Sequence, residues 1–160
     1  MSWLYEKLKK PIPQSHSITI NSLRLQMTRI NCSYIGNLRC EASHVPSGER
    51  LTTDAPIDHE GKGEAFSPTD LIATALGTCV LTVMGITARQ RGWEIDGASV
   101  DVEKIMTSEG PRSIETLKLL ITMPPEISKQ QLQLLQRMVD TCPAKRNLEG
   151  SITMKFIWIW

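Results

Sequence analysis

No Cys-x-x-Cys pair, glycine-rich phosphate loop or repeated unit occurs in the 160 residues. The four cysteines stand at 32, 40, 79 and 142, spacings unlike a zinc knuckle or a dithiol redox motif. His16, His44 and His59 are scattered over loop-like segments, so a zinc site is a rival reading without positive support. Neither sign of charge dominates: 18 Lys and Arg face 17 Asp and Glu, for a formal net charge of +1 without runs of one sign. A nucleic-acid partner and an anionic membrane surface are therefore not implied. The opening M-S-W-L-Y-E-K-L-K-K-P lacks the apolar core and small-residue cleavage site of a secretory signal. The cytoplasm is the expectation, with the cysteines as thiols.

Only one long uncharged run exists, residues 71–88, which just reaches the length at which a membrane span is considered. Its four Thr and two Gly, and the alternating strands that follow, favour a buried core helix. A chain of this length fits one domain with a full core, with residues 1–15 as an amphipathic arm ending at Pro11 and Pro13.

That run is the middle of the organising stretch, Ser67 to Gly92. Ser67 can cap the free N–H groups, Pro68 suits the first helical position and Asp70 complements the positive end; Arg89, Arg91 and Gly92 form the exit. At 100° per residue, Ile72, Ala75, Leu76, Cys79, Val80, Val83 and Ile86 share one apolar arc. Ala73, Thr74, Gly77, Thr78, Gly85 and Ala88 form a small-residue side that admits a second backbone closely. The pattern predicts a helix buried on both sides.

Around it the chain alternates. Residues 23–35 and 38–42 read as strands of a hairpin with Gly36-Asn37 at the turn, which would place Cys32 opposite Glu41 and Cys40 opposite Ser33. Cys32 and Cys40 would then point to opposite faces, as packing residues without a mutual disulfide. Residues 51–66, with Pro56, Gly61, Gly63 and several acids, read as a long polar connection. Residues 98–106 alternate, as do Leu117, Leu119, Ile121 and Met123, predicting an antiparallel hairpin ended by Pro124-Pro125. Ser128 and Gln131 form a capping box before a helix carrying Leu132, Leu135, Met138 and Val139. Cys142 stands at the N-cap of a short turn over 144–148, with Pro143 first; residues 152–160 form a terminal strand. The order is strands, long helix, strands, helix, strand: an α+β arrangement.

The segments S-P-T-D-L-I-A-T-A-L-G-T-C-V and D-T-C-P, with this element order, resemble the OsmC/Ohr family of osmotically induced and organic hydroperoxide resistance proteins. The resemblance implies the OsmC-like fold, antiparallel sheets around a central helix in an intertwined homodimer. It also implies thiol peroxidation of organic hydroperoxides without a cofactor: one thiolate becomes a sulfenic acid, the second cysteine condenses with it, and a dithiol reduces the disulfide. Cys79 matches the attacking position and Cys142 the resolving one. An apolar pocket around Cys79 would select organic peroxides. Local geometry argues the other way on acidity, because an N-cap position favours the Cys142 thiolate. The family also keeps a glutamate after the helix-opening proline and pairs it with an arginine from the preceding loop. Here Thr69 follows Pro68, and Asp70 and Arg50 are the available acid and base, with His59 near the arginine's place. The missing glutamate favours a rival: an OsmC-like protein that binds a small apolar ligand or senses oxidants without turnover.

Overall fold

Ser67 opens the longest helix, α1 (Pro68–Arg91), in a computed structural model that describes residues 27–160. The arm at 1–15 and the start of the first expected strand lie outside the described residues. Ser67 Oγ accepts from the Asp70 N–H, Asp70 accepts in return from the Ser67 N–H, and Gly92 ends the helix at φ 68°. The capping signals thus act as the sequence implies.

The buried arc differs from expectation. Ala73, Leu76, Gly77, Val80, Met84, Thr87 and Ala88 face the core. Ile72 and Ile86 are 38% and 44% exposed, and Cys79 is half-buried. The core face combines Leu76 and Val80 of the apolar arc with Ala73, Gly77 and Ala88 of the small side, where the small residues admit a sheet: a Cβ on Gly77 would stand 2.9 Å from Val102 Cγ2. One flank of α1 is thus packed by its own chain, while the stripe Ile72, Ala75, Cys79, Val83 and Ile86 carries its other apolar residues outward. The helix is apolar enough for a membrane span by composition, at mean hydropathy 1.9, with 39% of that window buried. It packs against strands and two helices of its own chain.

The first sheet is the meander β1 (Ile30–Gly36), β2 (Arg39–His44) and β3 (Arg50–Asp54). Its turn residues are Asn37 and Leu38, at φ 52° and 60°, one position later than the sequence suggests. Gly36, at φ 93°, is drawn into an irregular strand end and pairs with Arg39. Cys32 therefore pairs with Ala42, and Tyr34 with Cys40, so both cysteines share one face; the expected opposite facing is corrected. All four cysteines are nevertheless free. This register gathers Ile30, Cys32, Tyr34, Cys40, Ala42 and Leu51 on one side and Arg39, Glu41, Arg50 and Asp54 on the other. Strand β3 was hidden in the expected connection because Leu51 is its only large apolar residue. Among the described residues the sheet leans lightly on the other elements, and Ile30, Tyr34 and Leu51 of its apolar face stay largely exposed.

Between the sheets the chain folds tightly over residues 55–63. A Cβ on Gly61 would fall 1.7 Å from the Ala55 carbonyl oxygen, so no other residue fits without moving backbone. Gly61→Ala is expected to destabilise the protein by about 3 kcal/mol, the upper range for overpacking, read as a lower urea midpoint.

The second sheet has the order β4 (Ser99–Met106), β5 (Ile114–Thr122), β6 (Thr153–Ile159). β4 and β5 pair antiparallel as expected, but β6 runs parallel to β5, so the expectation of purely antiparallel sheets is corrected. The cause is the crossover through α2 (Lys129–Val139) and α3 (Pro143–Leu148), which returns the chain to the end where β5 began. Leu117, Leu119 and Ile121 of β5, Leu76, Val80 and Met84 of α1, and Leu132, Leu135 and Val139 of α2 form one core with Cys142.

Candidate redox site

The two helical cysteines meet where α1 packs against α2 and α3. Cys79 lies mid-helix, half-buried, on the edge of the outward stripe. Cys142 is 0% exposed and stands at the N-cap of α3, before Pro143. Burial pushes its thiol above the ordinary 9.0, and a hydrogen bond with Cys79 adds to the rise; the N–H groups of Lys145 and Ala144 pull down more weakly. The N-cap argument for an acidic Cys142 is therefore overturned: no capping hydrogen bond from its side chain forms, and desolvation outweighs the helix end.

Asp70 and Arg50 stand apart from this pair within one chain. Asp70 lies nine residues before Cys79, about 13 Å along the helix axis at 1.5 Å per residue. Its carboxylate holds Lys104 Nζ at 2.6 Å. Arg50, on the polar face of the first sheet, is largely exposed and pairs with Glu41 at 3.2 Å.

Two charged clusters escaped the sequence reading. Lys104 Nζ donates to Thr69 Oγ1 at 2.8 Å and Ser67 Oγ at 3.3 Å besides pairing with Asp70, and so ties β4 to the start of α1. A signal existed: Lys104 shares the inward parity of Val100, Val102 and Met106, where a charge demands a partner. The second cluster joins Arg39 to buried Asp54, at 3.3 Å, and to Glu64; Asp54 also accepts from the Glu64 N–H at 2.9 Å. Its partners are distant in sequence, and the unrecognised β3 supplies one of them.

Both buried-side carboxyls titrate low. The Glu64 N–H and then the Arg39 guanidinium hold Asp54 below 3.8 against burial. For Asp70 burial is the largest influence and acts upward, yet Lys104 and Ser67 together outweigh it. A depressed folded value stabilises the fold above 3.8 and loses that contribution as pH falls through it. Lys104→Met is expected to lower stability by less than about 1 kcal/mol near pH 7, since Asp70 is 39% exposed. The gap to wild type should narrow between pH 5 and about pH 2 in urea titrations.

An open cleft of about 640 Å3 lies between α1 and β4, with Phe66, Ala73, Leu81, Val100 and Val102 as apolar wall and Asp70 and Lys104 at its polar end. Neither Cys79 nor Cys142 lines it; Cys79 and Val83 are half-buried against the core that Cys142 joins, while Ile72 and Ile86 of the same stripe are exposed. A second cleft of about 310 Å3 holds His59, Thr69 and Arg112. Among the described residues no three His, Cys, Asp or Glu side chains converge as a metal site would require.

The family model for OsmC-like proteins matches residues 61–156, from the loop before α1 to the last strand, with both helical cysteines inside. The chain belongs to the OsmC family. A candidate osmotic stress induced and detoxification response protein from Psychrobacter arcticus 273-4 is 38% identical over 86% of this chain and 100% of its own, with a TM-score of 0.78. At lower identity the fold alone is shared. The organic hydroperoxide resistance protein OsmC of Legionella pneumophila is 15% identical over 86% of this chain and 100% of its own, TM-score 0.70. The organic hydroperoxide resistance protein OhrB of Bacillus subtilis is also 15% identical, over 84% and 99%, with a TM-score of 0.65. A search of curated proteins found no match. Of the four free cysteines, Cys79 and Cys142 lie within the matched region, on the central helix and on the turn after the second helix.

Proposed function

We propose that this OsmC-family protein reduces organic hydroperoxides as a homodimer, with Cys79 attacking and Cys142 resolving. The observation that carries this reading is that two cysteines 63 residues apart in sequence share one core, Cys142 buried in it and Cys79 packed against it where α1 meets α2 and α3. Cys79 is the accessible thiol of the pair. Its attack on the peroxide oxygen makes a sulfenic acid and an alcohol; Cys142, which shares the core with Cys79, then closes a disulfide and releases water. The large apolar residues left exposed among the described residues, Ile72 and Ile86 of α1 and Ile30, Tyr34 and Leu51 of the first sheet, support a second copy as the missing wall of the site.

A second reading has its own support. Asp70 is engaged with Lys104, and Arg50 with Glu41, so neither sits beside Cys79 in one chain. An oxidant sensor that reacts once, or a binder of a small apolar ligand, needs no such activation. Turnover separates the readings. With cumene hydroperoxide and excess dithiol, the peroxidase consumes many equivalents of peroxide per chain, faster than free cysteine does. A single equivalent consumed, with dithiol still present, would leave the sensor.

A further inference from the structure

The smaller cleft is built by segments that the thiol pair does not use: the first sheet, the short turn Ile57–His59, the start of α1 and the turn between β4 and β5. Its volume of about 310 Å3 falls at the lower end of small-molecule sites, and Leu38, Ala55, Pro56, Pro68 and Met106 make it mainly apolar. His59 and Arg112 supply its charge-bearing groups, with Thr53, Thr69 and the Cys40 thiol as neutral polar ones. No Asp or Glu side chain lines it, in a chain that balances 18 Lys and Arg against 17 Asp and Glu. The lining therefore favours an anion.

Two hydrogen-bonded turns position the basic groups. The N–H groups of His59 and Gly61 both donate to the Pro56 carbonyl, at 2.9 and 3.1 Å. Arg112 stands in a turn closed by the Thr107 N–H on the Ser113 carbonyl at 2.9 Å. An ion pair of 2.8 Å from Arg112 Nη2 to Asp58 ties the turns together, and among the described residues it is the one hydrogen bond the guanidinium makes. A guanidinium carries five donors in a planar fork, so an oxyanion can still be held. Asp58, at 64% exposure, competes weakly because water screens it. A single such fork beside an apolar wall suits one carboxylate with an apolar body better than a phosphate, which would leave that wall wet. We infer that this cleft binds a small apolar monocarboxylate, with its carboxylate on Arg112 and His59 and its body against Pro56, Pro68 and Met106. Neither Cys79 nor Cys142 lines the cleft, so the inference stands apart from both readings of the thiol pair.

The test uses the full-length chain and three probes: octanoate, 1-octanol and inorganic phosphate. Alkylation of Cys40 by iodoacetamide, followed by peptide mass spectrometry, reads occupancy of the cleft; Cys32, on the same sheet face but outside the cleft, is the internal reference. Octanoate should slow Cys40 severalfold and leave Cys32 unchanged. Half-protection by 1-octanol should need at least about tenfold more probe, the worth of one hydrogen bond to a charged group, and phosphate should not protect. An unaltered Cys40 rate, equal protection by 1-octanol, or protection by phosphate overturns the inference. Two variants separate binding from bracing. Arg112→Gln should raise the octanoate needed by at least about tenfold, whereas Asp58→Asn, which breaks the same ion pair but keeps the guanidinium, should bind octanoate at least as well as wild type. Equal weakening in both variants would mean that the ion pair only braces the loop, and overturns the inference as well. No peroxide enters the experiment, so its outcome is independent of whether the thiol pair turns over.

Discussion

Cys79→Ser is expected to bring peroxide consumption down to the buffer rate, a loss of at least about a thousandfold, the scale seen when a nucleophile is removed. Serine keeps the volume within one atom but offers a hydroxyl in place of a thiol, and only the thiolate attacks a peroxide oxygen at neutral pH. Cys142→Ser should behave differently. The first oxidation survives, because the attacking sulfur is untouched, but the sulfenic acid has no partner to condense with. It should accumulate, react with dimedone, and pass to sulfinic acid under excess peroxide, so that turnover stops after one event. Stopped-flow oxidation and intact-mass measurement on both variants check the assignment. Equal loss of the first oxidation in the two variants would contradict it.

The raised Cys142 thiol fits this division of roles. A thiol held neutral by burial is a poor first nucleophile, but it needs no diffusion to reach a sulfenic acid formed in the core it shares. Helix position alone ranked the two thiols the other way. An N-cap argument reads the charge at a helix end and is blind to how much water the fold removes, and here the water decides.

What the sequence disclosed was whatever local chemistry controls. The Ser67 and Ser128 capping boxes, Pro68, Gly92 and the alternation of β4 and β5 depend on neighbours a few residues away, and they fall where the pattern puts them. The face of α1 that meets the core was legible only in part. The pattern predicted burial on both sides; Leu76 and Val80 of the apolar arc and Ala73 and Gly77 of the small side are buried, while Ile72 and Ile86 stay exposed, because the closeness of β4 to Gly77 is a property of the assembled sheet. The hairpin register failed for a related reason. Gly36, Asn37 and Leu38 all adopt positive φ, so the turn could be centred on either pair, and the choice that gathers the apolar residues on one face also depends on β3. At the site, the cysteine pair was legible from family resemblance, whereas Lys104 and the Arg39, Asp54 and Glu64 cluster depend on pairings between segments 15 to 37 residues apart.

The proposed homodimer makes the second large prediction, because the stripe around Cys79 is the surface it would bury. Ile72 and Ile86 flank Cys79 on that stripe, at 38% and 44% exposure. Ile72→Glu with Ile86→Glu places two carboxylates on it without disturbing the internal core of Leu76, Val80 and Met84. A charge on each copy, brought together across a two-fold axis, meets both its own image and the cost of leaving water. The double variant is expected to sediment as a monomer while keeping its helical circular dichroism, and to lose peroxide turnover by at least about tenfold as the wall around Cys79 disappears. Ile57→Glu is the control: at 78% exposure, on the short turn Ile57–His59, it should change neither mass nor turnover. A double variant that stays dimeric would move the interface off α1 and onto the apolar face of the first sheet, where Tyr34→Glu becomes the dissociating change.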